Sequence, residues 1–433
     1  MLRRSLCILS LTLSFSLVFI APTWAATQYN VLYRFQGGLD GDFPNGQMVS
    51  DASGNWYGTT QFGGTTSGNA GVVFELSPAG GGNWTETVLY RFTGGSDGGA
   101  PQAGLVIDAS GNLYGTTAAG GNSQCVQGGG YCGVVFELSP DGHGNWTESV
   151  LHAFTGPDGL EPSGPLTFDK AGNLYGVTRN GGAGGYGTVY ELSPNGDGTW
   201  NEAVLASFYG KRDGTNTEGN VVFDTAGNLY GMNSSGGDMS CGHGFGCGDI
   251  FKLAPQGGGT WKLSLVGSFN GPDGATPLSL VIDPDGNLFG AAVYGGFGTC
   301  YGLIEDGCGD VFELSQVGGQ WQGKVIKFSS GHGATNPVGI ALDSAGNIYG
   351  ASQCSNASCT GTSSGTVFKL TPSAGGIYAS SVLHTFTGGS DGFVPESGPV
   401  IGSDGNVYGT TNQGGVNTCG SDHGCGTIYQ IIP

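Results

Sequence analysis

A short turn written seven times constrains this chain more than any other feature. Asp51-Ala52-Ser53-Gly54-Asn55-Trp56-Tyr57-Gly58 returns with small changes around Gly111-Asn112, Gly172-Asn173, Gly227-Asn228, Gly286-Asn287, Gly346-Asn347 and Gly405-Asn406, at intervals of 57, 61, 55, 59, 60 and 59 residues. Asp-x-x-Gly supplies the residues of a type I turn closed by a left-handed glycine bulge, so each copy reads as a hairpin turn. Glycine and proline make up about a quarter of the 433 residues, a share that without periodicity would point to disorder. Here hydrophobic residues (38%) and aromatics (11%) recur in register between the glycines, and each unit has an apolar face to bury. A periodic chain of this kind closes into one domain whose size is set by its repeat count.

The second unit is the clearest template. Residues 105–108 lead into the turn, 113–117 follow it, a Gly-rich loop intervenes, and 133–140 and 146–154 flank the polar turn Asp141-Gly142-His143-Gly144. Four short antiparallel strands per unit make a propeller blade, and seven units predict an all-β, seven-bladed β-propeller over residues 26–433. One strand, residues 29–35, precedes the first unit without a hairpin partner. It matches the fourth strand of complete units, such as Val88-Leu89-Tyr90-Arg91-Phe92, while the last unit stops at its third strand, Thr427-Ile428-Tyr429. The N-terminal strand is therefore expected to complete the last blade and close the ring. Aromatics recur on the second strands (Tyr57, Tyr114, Tyr175, Tyr230, Phe289, Tyr349, Tyr408), on the third strands, and at the ends of the outer strands (Phe35, Phe92, Phe154, Phe208, Phe269, Phe328, Phe386). Such rings predict packing between blades.

Residues 1–25 carry Arg3 and Arg4, an apolar run from Leu6 to Ile20 and the ending Thr23-Trp24-Ala25, which reads as a secretory signal cleaved after Ala25. The mature protein is then expected to be secreted, periplasmic or held at the cell surface, monomeric, and not inserted in a membrane. Loss of the signal moves the formal charge from −20 to −22, which disfavours nucleic acid and anionic membranes as partners and permits cations, neutral glycans or basic proteins. Beyond Cys7, ten cysteines fall in five local pairs: Cys125 with Cys132, Cys241 with Cys247, Cys300 with Cys308, Cys354 with Cys359, and Cys419 with Cys425. In an exported chain these read as disulfides pinning surface loops; as zinc ligands the pairs lack the nearby second pair that a tetrahedral site needs.

The units written Gly-Asn-Leu-Tyr-Gly-Thr-Thr and Gly-Val-Val-Phe-Glu-Leu-Ser-Pro, as at 111–117 and 133–140, resemble the GloVer-type tandem repeats of exported bacterial choice-of-anchor proteins. The resemblance runs over roughly residues 29–433. It implies fold and location, and brings no catalytic residues with it.

Blade topology puts the connection to the next blade and the loop between second and third strands on one face. The connections carry Asp40, Asp97, Asp158, Asp213, Asp273 and Asp391, each followed by glycine, while the sixth has His332-Gly333 instead. A ring of carboxylates at a channel mouth could bind calcium or a glycan; Asp-Gly ahead of proline is equally what a tight connection requires. Departures from the repeat single out His332, with Lys211 and Arg212 in the fourth connection. His243 and His423 sit in equivalent cysteine loops, and no nucleophile elbow, phosphate loop, zinc-protease or haem motif is present. The expected function is a binding or interaction module for an extracellular glycan or protein, with Asp40, Asp97, Asp158, Asp213, Asp273, His332 and Asp391 as candidate ligand-binding residues. The alternatives are a polysaccharide lyase or glycoside hydrolase at the channel mouth, and a purely structural surface protein.

Overall fold

The computed structural model describes residues 27–64, 69–123, 125, 132–239, 245–296, 307–326, 335–355, 364–374, 377–416 and 424–433. Residues 1–25, read above as a secretory signal, and His332 lie outside these residues, as do Cys241, Cys300, Cys359, Cys419, His243 and His423.

The repeated turn folds as its residues dictate. Asp51 N–H donates to the Asn55 carbonyl at 3.0 Å, Gly54 N–H to the Asp51 carbonyl at 3.3 Å, and Gly54 takes φ +85°. The Asp51 carboxylate accepts hydrogen bonds from Ser53 N, Asn55 N, Asn55 Nδ2 and Tyr57 Oη, between 2.8 and 3.1 Å. Asp108, Asp169 and Asp224 repeat all four bonds. In the last copy Gly402 replaces the aspartate, and Asp404 takes its role, accepting from Asn406 Nδ2 at 2.6 Å and Tyr408 Oη at 2.8 Å.

Each turn joins two strands of an antiparallel sheet, and there are seven such sheets. In blade 2 the order from the rim inward is Trp146–Ala153, Val134–Pro140, Leu113–Thr117 and Val106–Ile107. In blade 7 the rim strand is Gln28–Arg34, paired with Thr427–Ile432 through Tyr29↔Ile431 and Val31↔Tyr429. The protein is thus an all-β seven-bladed propeller whose N-terminal strand closes the ring.

The inner strands begin earlier than the sequence pattern indicates, inside the segments read as connections. In blade 1, Asp42–Pro44 pairs with one half of Trp56–Phe62 and Val49–Ser50 with the other. From Pro44 to Val49 the inner strand advances five residues while its partner moves from Thr60 to Tyr57, three, so two residues find no place in the ladder. Blades 3 and 4 do the same. In blades 5 and 6 the inner strand is one residue shorter and runs unbroken, Ala275–Ile282 and Thr335–Leu342, with a single bulge after Pro277 and Pro337. Proline fits here because an innermost strand is a sheet edge and needs no donor on its free side.

Neighbouring blades meet at a main-chain seam. The residue before this proline, or before Thr217 in blade 4, is left-handed in every blade: Phe43, Ala100, Glu161, Asn216, Thr276, Asn336 and Val394 have φ between 52° and 58°. That rotation turns the N–H out of its own sheet. Ala100 N donates to the Ala70 carbonyl of the preceding blade at 2.8 Å, Glu161 N to Cys132 at 3.2 Å, Asn336 N to Cys308 at 2.8 Å, Val394 N to Ser364 at 3.1 Å, and Phe43 N to Cys425 across the ring closure at 3.3 Å. Each acceptor immediately precedes a glycine on which the following blade's proline ring rests: a Cβ on Gly133 would meet Pro162 Cδ, and Gly71 with Pro101 and Gly426 with Pro44 repeat the contact.

Around the seams lie seven clusters of buried side chains, each drawn from two neighbouring blades. Phenylalanines ending the outer strands sit edge-on against third-strand aromatics of the next blade, as in Phe35–Phe74 at 5.3 Å, Phe92–Phe136 at 5.1 Å, Phe269–Phe312 at 5.0 Å and Phe386–Tyr429 at 5.5 Å. Phe328 lies outside the described residues. A disulfide joins Cys125 and Cys132, with Cα atoms 5.9 Å apart, and Cys247, Cys308, Cys354 and Cys425 are also disulfide-bonded.

The seam predicts a contrast between two left-handed glycines. Gly142 (φ +74°) has open space where a Cβ would stand, whereas Gly133 (φ +78°) has the Thr117 carbonyl of its own blade and Pro162 of the next blade there. Gly142→Ala is expected to cost about 1–2 kcal/mol from backbone strain, and Gly133→Ala roughly 3 kcal/mol or more because overpacking adds to it. Denaturant unfolding of the two variants measures the difference, and equal losses would refute the seam.

Candidate functional site

The residues that the inner strands cannot pair line the axis of the ring. Immediately after the seam position stand Asn45, Gln102, Ser163, Glu218, Leu278, Val338 and Glu396, one per blade, and after each of them a small residue. With Arg179, these segments enclose an axial cavity of about 260 Å³. The small residues follow from crowding at the centre: a Cβ on Gly339 would meet the Gly398 main chain, and one on Gly398 the Gly339 main chain.

Three polar pairs span adjacent blades by the same geometry, from the end of one second strand to the bulge of the next blade. Arg179 Nη2 and Nε reach Glu218 Oε1 at 2.5 and 2.6 Å, Gln353 Nε2 donates to Glu396 Oε2 at 2.9 Å, and Asn412 Nδ2 donates to Asn45 Oδ1. Asn45 Nδ2 in turn donates to Gln61 Oε1 at 2.8 Å, and Asn180 Nδ2 to Glu161 Oε2 at 3.1 Å. Burial raises the Glu396 carboxyl above its ordinary value, against the hydrogen bond from Gln353. Blades 5 and 6 contribute Leu278 and Val338 instead. The mouth therefore has a hydrogen-bonding arc of amides and charges and a short apolar arc.

The connection aspartates are placed differently. Asp40 accepts from Gln36 N at 2.8 Å and Tyr33 Oη at 2.9 Å, and Asp97 from Thr93 N at 2.8 Å and Tyr90 Oη at 3.1 Å. Asp158 accepts from Thr155 N and bonds His152 Nε2, both at 2.9 Å; Asp391 accepts from Thr387 N at 3.0 Å and bonds His384 Nε2 at 3.2 Å. Asp213 accepts from Tyr209 N at 3.0 Å and Asp273 from Asn270 N at 2.8 Å. Each shapes its own connection, and none of them lines the axial cavity. Among the described residues no group of three or more His, Cys, Asp or Glu side chains is placed to hold a metal ion.

The channel residues Asn45, Arg179, Glu218, Gln353, Glu396 and Asn412 were missed in the sequence. Their signal was there: at two positions of an otherwise more uniform repeat, one after the seam proline and one at the end of the second strand, the residue type ranges from apolar to amide to charged between copies.

Seven sheets about an axial cavity lined by unlike polar residues define a β-propeller. By sequence, the chain belongs to the Gloeobacter/Verrucomicrobia repeat family, whose profile matches residues 18–129 and 125–304. No curated protein matches the chain. Among solved structures it is similar to a catalytically inactive virginiamycin B lyase from Staphylococcus aureus crystallised with quinupristin, at 10% identity and TM-score 0.53, covering 94% of this chain and 99% of that one. It is also similar to a putative 6-phosphogluconolactonase from Bacteroides uniformis (15%, TM-score 0.52, 81% and 87% covered). A third is the extracellular domain of a putative hybrid two component system from B. thetaiotaomicron (11%, TM-score 0.55, 94% and 42% covered). At such identities the likeness shows the fold alone.

Several buried acids make stability depend on pH. Burial, then Asp40, pushes Glu86 up to about 7, and burial with Asp97 does the same to Glu148. Asp42 reaches about 6 and Asp249 about 7, again chiefly by burial. Asp310 is 2% exposed, neither of its oxygens has a partner, and burial followed by the Asp273 charge holds it well above the usual range. These groups bind protons more tightly folded than unfolded. Their contribution is fully present below about pH 4, the unfolded value, and is lost as pH rises through the folded values near 6 and 7. Asp158 runs the other way: its burial is outweighed by the bonds from His152 and Thr155, which hold it at about 2, so its contribution is present above about pH 4 and is lost only as pH falls toward 2. The melting temperature is expected to be lower at pH 8 than at pH 5, and Glu86→Gln with Glu148→Gln to narrow that gap. A flat or rising profile would contradict the assignment. Asp310 occupies the position held by Thr188, Thr366 and Thr427 in other blades. Asp310→Thr is expected to stabilise the protein by roughly 1–3 kcal/mol at pH 8, and by less at pH 5, in denaturant titrations.

Proposed function

We propose that this is an exported binding module that receives the end of an uncharged glycan at the loop-rich mouth of its channel. One observation carries the reading: Arg179–Glu218, Gln353–Glu396 and Asn412–Asn45 present planar amide, carboxylate and guanidinium groups at positions where otherwise similar blades vary. Such groups match the donor–acceptor hydroxyls of a sugar. A cavity of about 260 Å³ falls below the range of about 300–1,000 Å³ usual for whole small ligands, and suits a terminus. The formal charge of −20 argues against polyanions. A second reading, a lyase or hydrolase, has one observation in its favour, the raised carboxyl of Glu396.

Calorimetry of the mature chain against uncharged oligosaccharides, with reducing-end assays run in parallel, separates these readings. Arg179→Ala and Glu396→Ala are each expected to weaken binding about tenfold or more, the worth of a hydrogen bond to a charged group. Asp97→Asn should leave affinity unchanged. Loss of binding in Asp97→Asn but not in the channel variants would move the site to the connections. Turnover by the wild type that Glu396→Gln abolishes would make the protein an enzyme.

A further inference from the structure

We infer that the glycan is a polymer, and that it leaves the channel mouth across an aromatic ledge on blades 3 and 4; the inference rests on the channel reading above. Exposed aromatic rings on the loop-rich face gather on neighbouring blades: Tyr186 is 47% exposed, Tyr209 64% and Phe245 74%, with Tyr294 at 40% on blade 5. None of them belongs to the inter-blade aromatic pairs that build the core. They are joined by glycine. A Cβ on Gly210 would lie 2.8 Å from the Tyr186 ring, so this ring rests on the backbone directly beside Tyr209. Gly236, which donates to the Phe245 carbonyl at 2.7 Å, packs in turn on the Lys211 backbone. The Tyr209 main chain is itself fixed by its bond to Asp213.

The ledge is continuous with the channel through the chain. Tyr186 lies in the loop that leaves Arg179, and Tyr209 in the connection that leads to Glu218, so both segments flanking the Arg179–Glu218 pair run outward to the two tyrosines. Exposed rings, one of them seated on a glycine, offer flat stacking faces rather than the packed, desolvated centre of a protein interface. The strong negative charge of the molecule favours an uncharged chain over a polyanionic one. The ligand class that fits is an uncharged β-linked polysaccharide whose sugar rings present apolar faces. Its terminus sits at Arg179–Glu218, and its following residues stack on Tyr186, Tyr209 and Phe245.

The test uses the mature full chain and compares disaccharides with hexasaccharides of the cello-, xylo-, manno- and chito- series by calorimetry. A hexasaccharide is expected to bind at least about tenfold tighter than its disaccharide. Tyr209→Ala and Phe245→Ala should each lower hexasaccharide affinity about fivefold while leaving the disaccharide unchanged, and Tyr209→Phe should restore it. Arg179→Ala should weaken both. Equal affinity for short and long ligands, or hexasaccharide binding that survives both ledge substitutions, would overturn the ledge and leave the channel reading standing. Failure of every sugar to bind would overturn both, as would a protein complex that forms through these rings in place of a sugar complex.

Discussion

The seam between blades is the interaction on which the rest of the structure depends. A single blade has no interior: the seven buried clusters each need side chains from two blades, so no blade can bury its apolar face alone. Bringing the sheets close enough requires a left-handed residue at the start of each inner strand, a conformation that costs an L-residue about 1–2 kcal/mol. Phenylalanine, valine and threonine accept it at Phe43, Val394 and Thr276. The observed seam bonds offset that strain, since a buried N–H left facing away from its own sheet would otherwise lack a partner. The third-strand glycine follows from the same approach, because the second-strand carbonyl of its own blade and the proline ring of the next blade together occupy the space its side chain would need.

The seam also explains where the channel chemistry sits. Beyond the left-handed residue and its proline, the inner strand carries one or two residues more than its partner can pair, and these bulge toward the axis. Bulges re-aim side chains without breaking the sheets on either side. In blades 5 and 6, with one surplus residue, the positions are apolar, Leu278 and Val338. The polar pairs end in blades 1 and 4, whose inner strands are split, and in blade 7, whose inner strand is Val400–Ile401.

Legibility in the sequence followed repetition. The Asp51-type turn, the blade count, the closing strand Gln28–Arg34 and the Cys125–Cys132 pair were readable because each is local or occurs in register copies. The seam was not: positive φ at Phe43 or Val394 has no marker in residue type, and only the neighbouring blade supplies its reason. The split inner strands were hidden for a related reason, since surplus residues erase the alternation by which a strand is recognised. The connection aspartates drew attention because they repeat, and repetition is the mark of a shape that every blade needs, here the turn that Asp40 and Asp97 hold through their own backbones.

A division of labour follows from these facts. Seam, turn and aromatic pair recur from blade to blade with few substitutions because each must satisfy the same inter-blade geometry, and a change at any one disturbs two blades. The bulge residues pair with no neighbouring strand and border open space, so their side chains can differ without altering the ladder on either side. Ring closure then brings seven independent choices to one point. Asn45, Glu218 and Glu396 come from blades 1, 4 and 7, far apart in sequence, yet each meets its partner from the blade before it. A chain made of near-copies thereby acquires an asymmetric centre, and the chemistry of that centre is written in the residues that the sheets leave out.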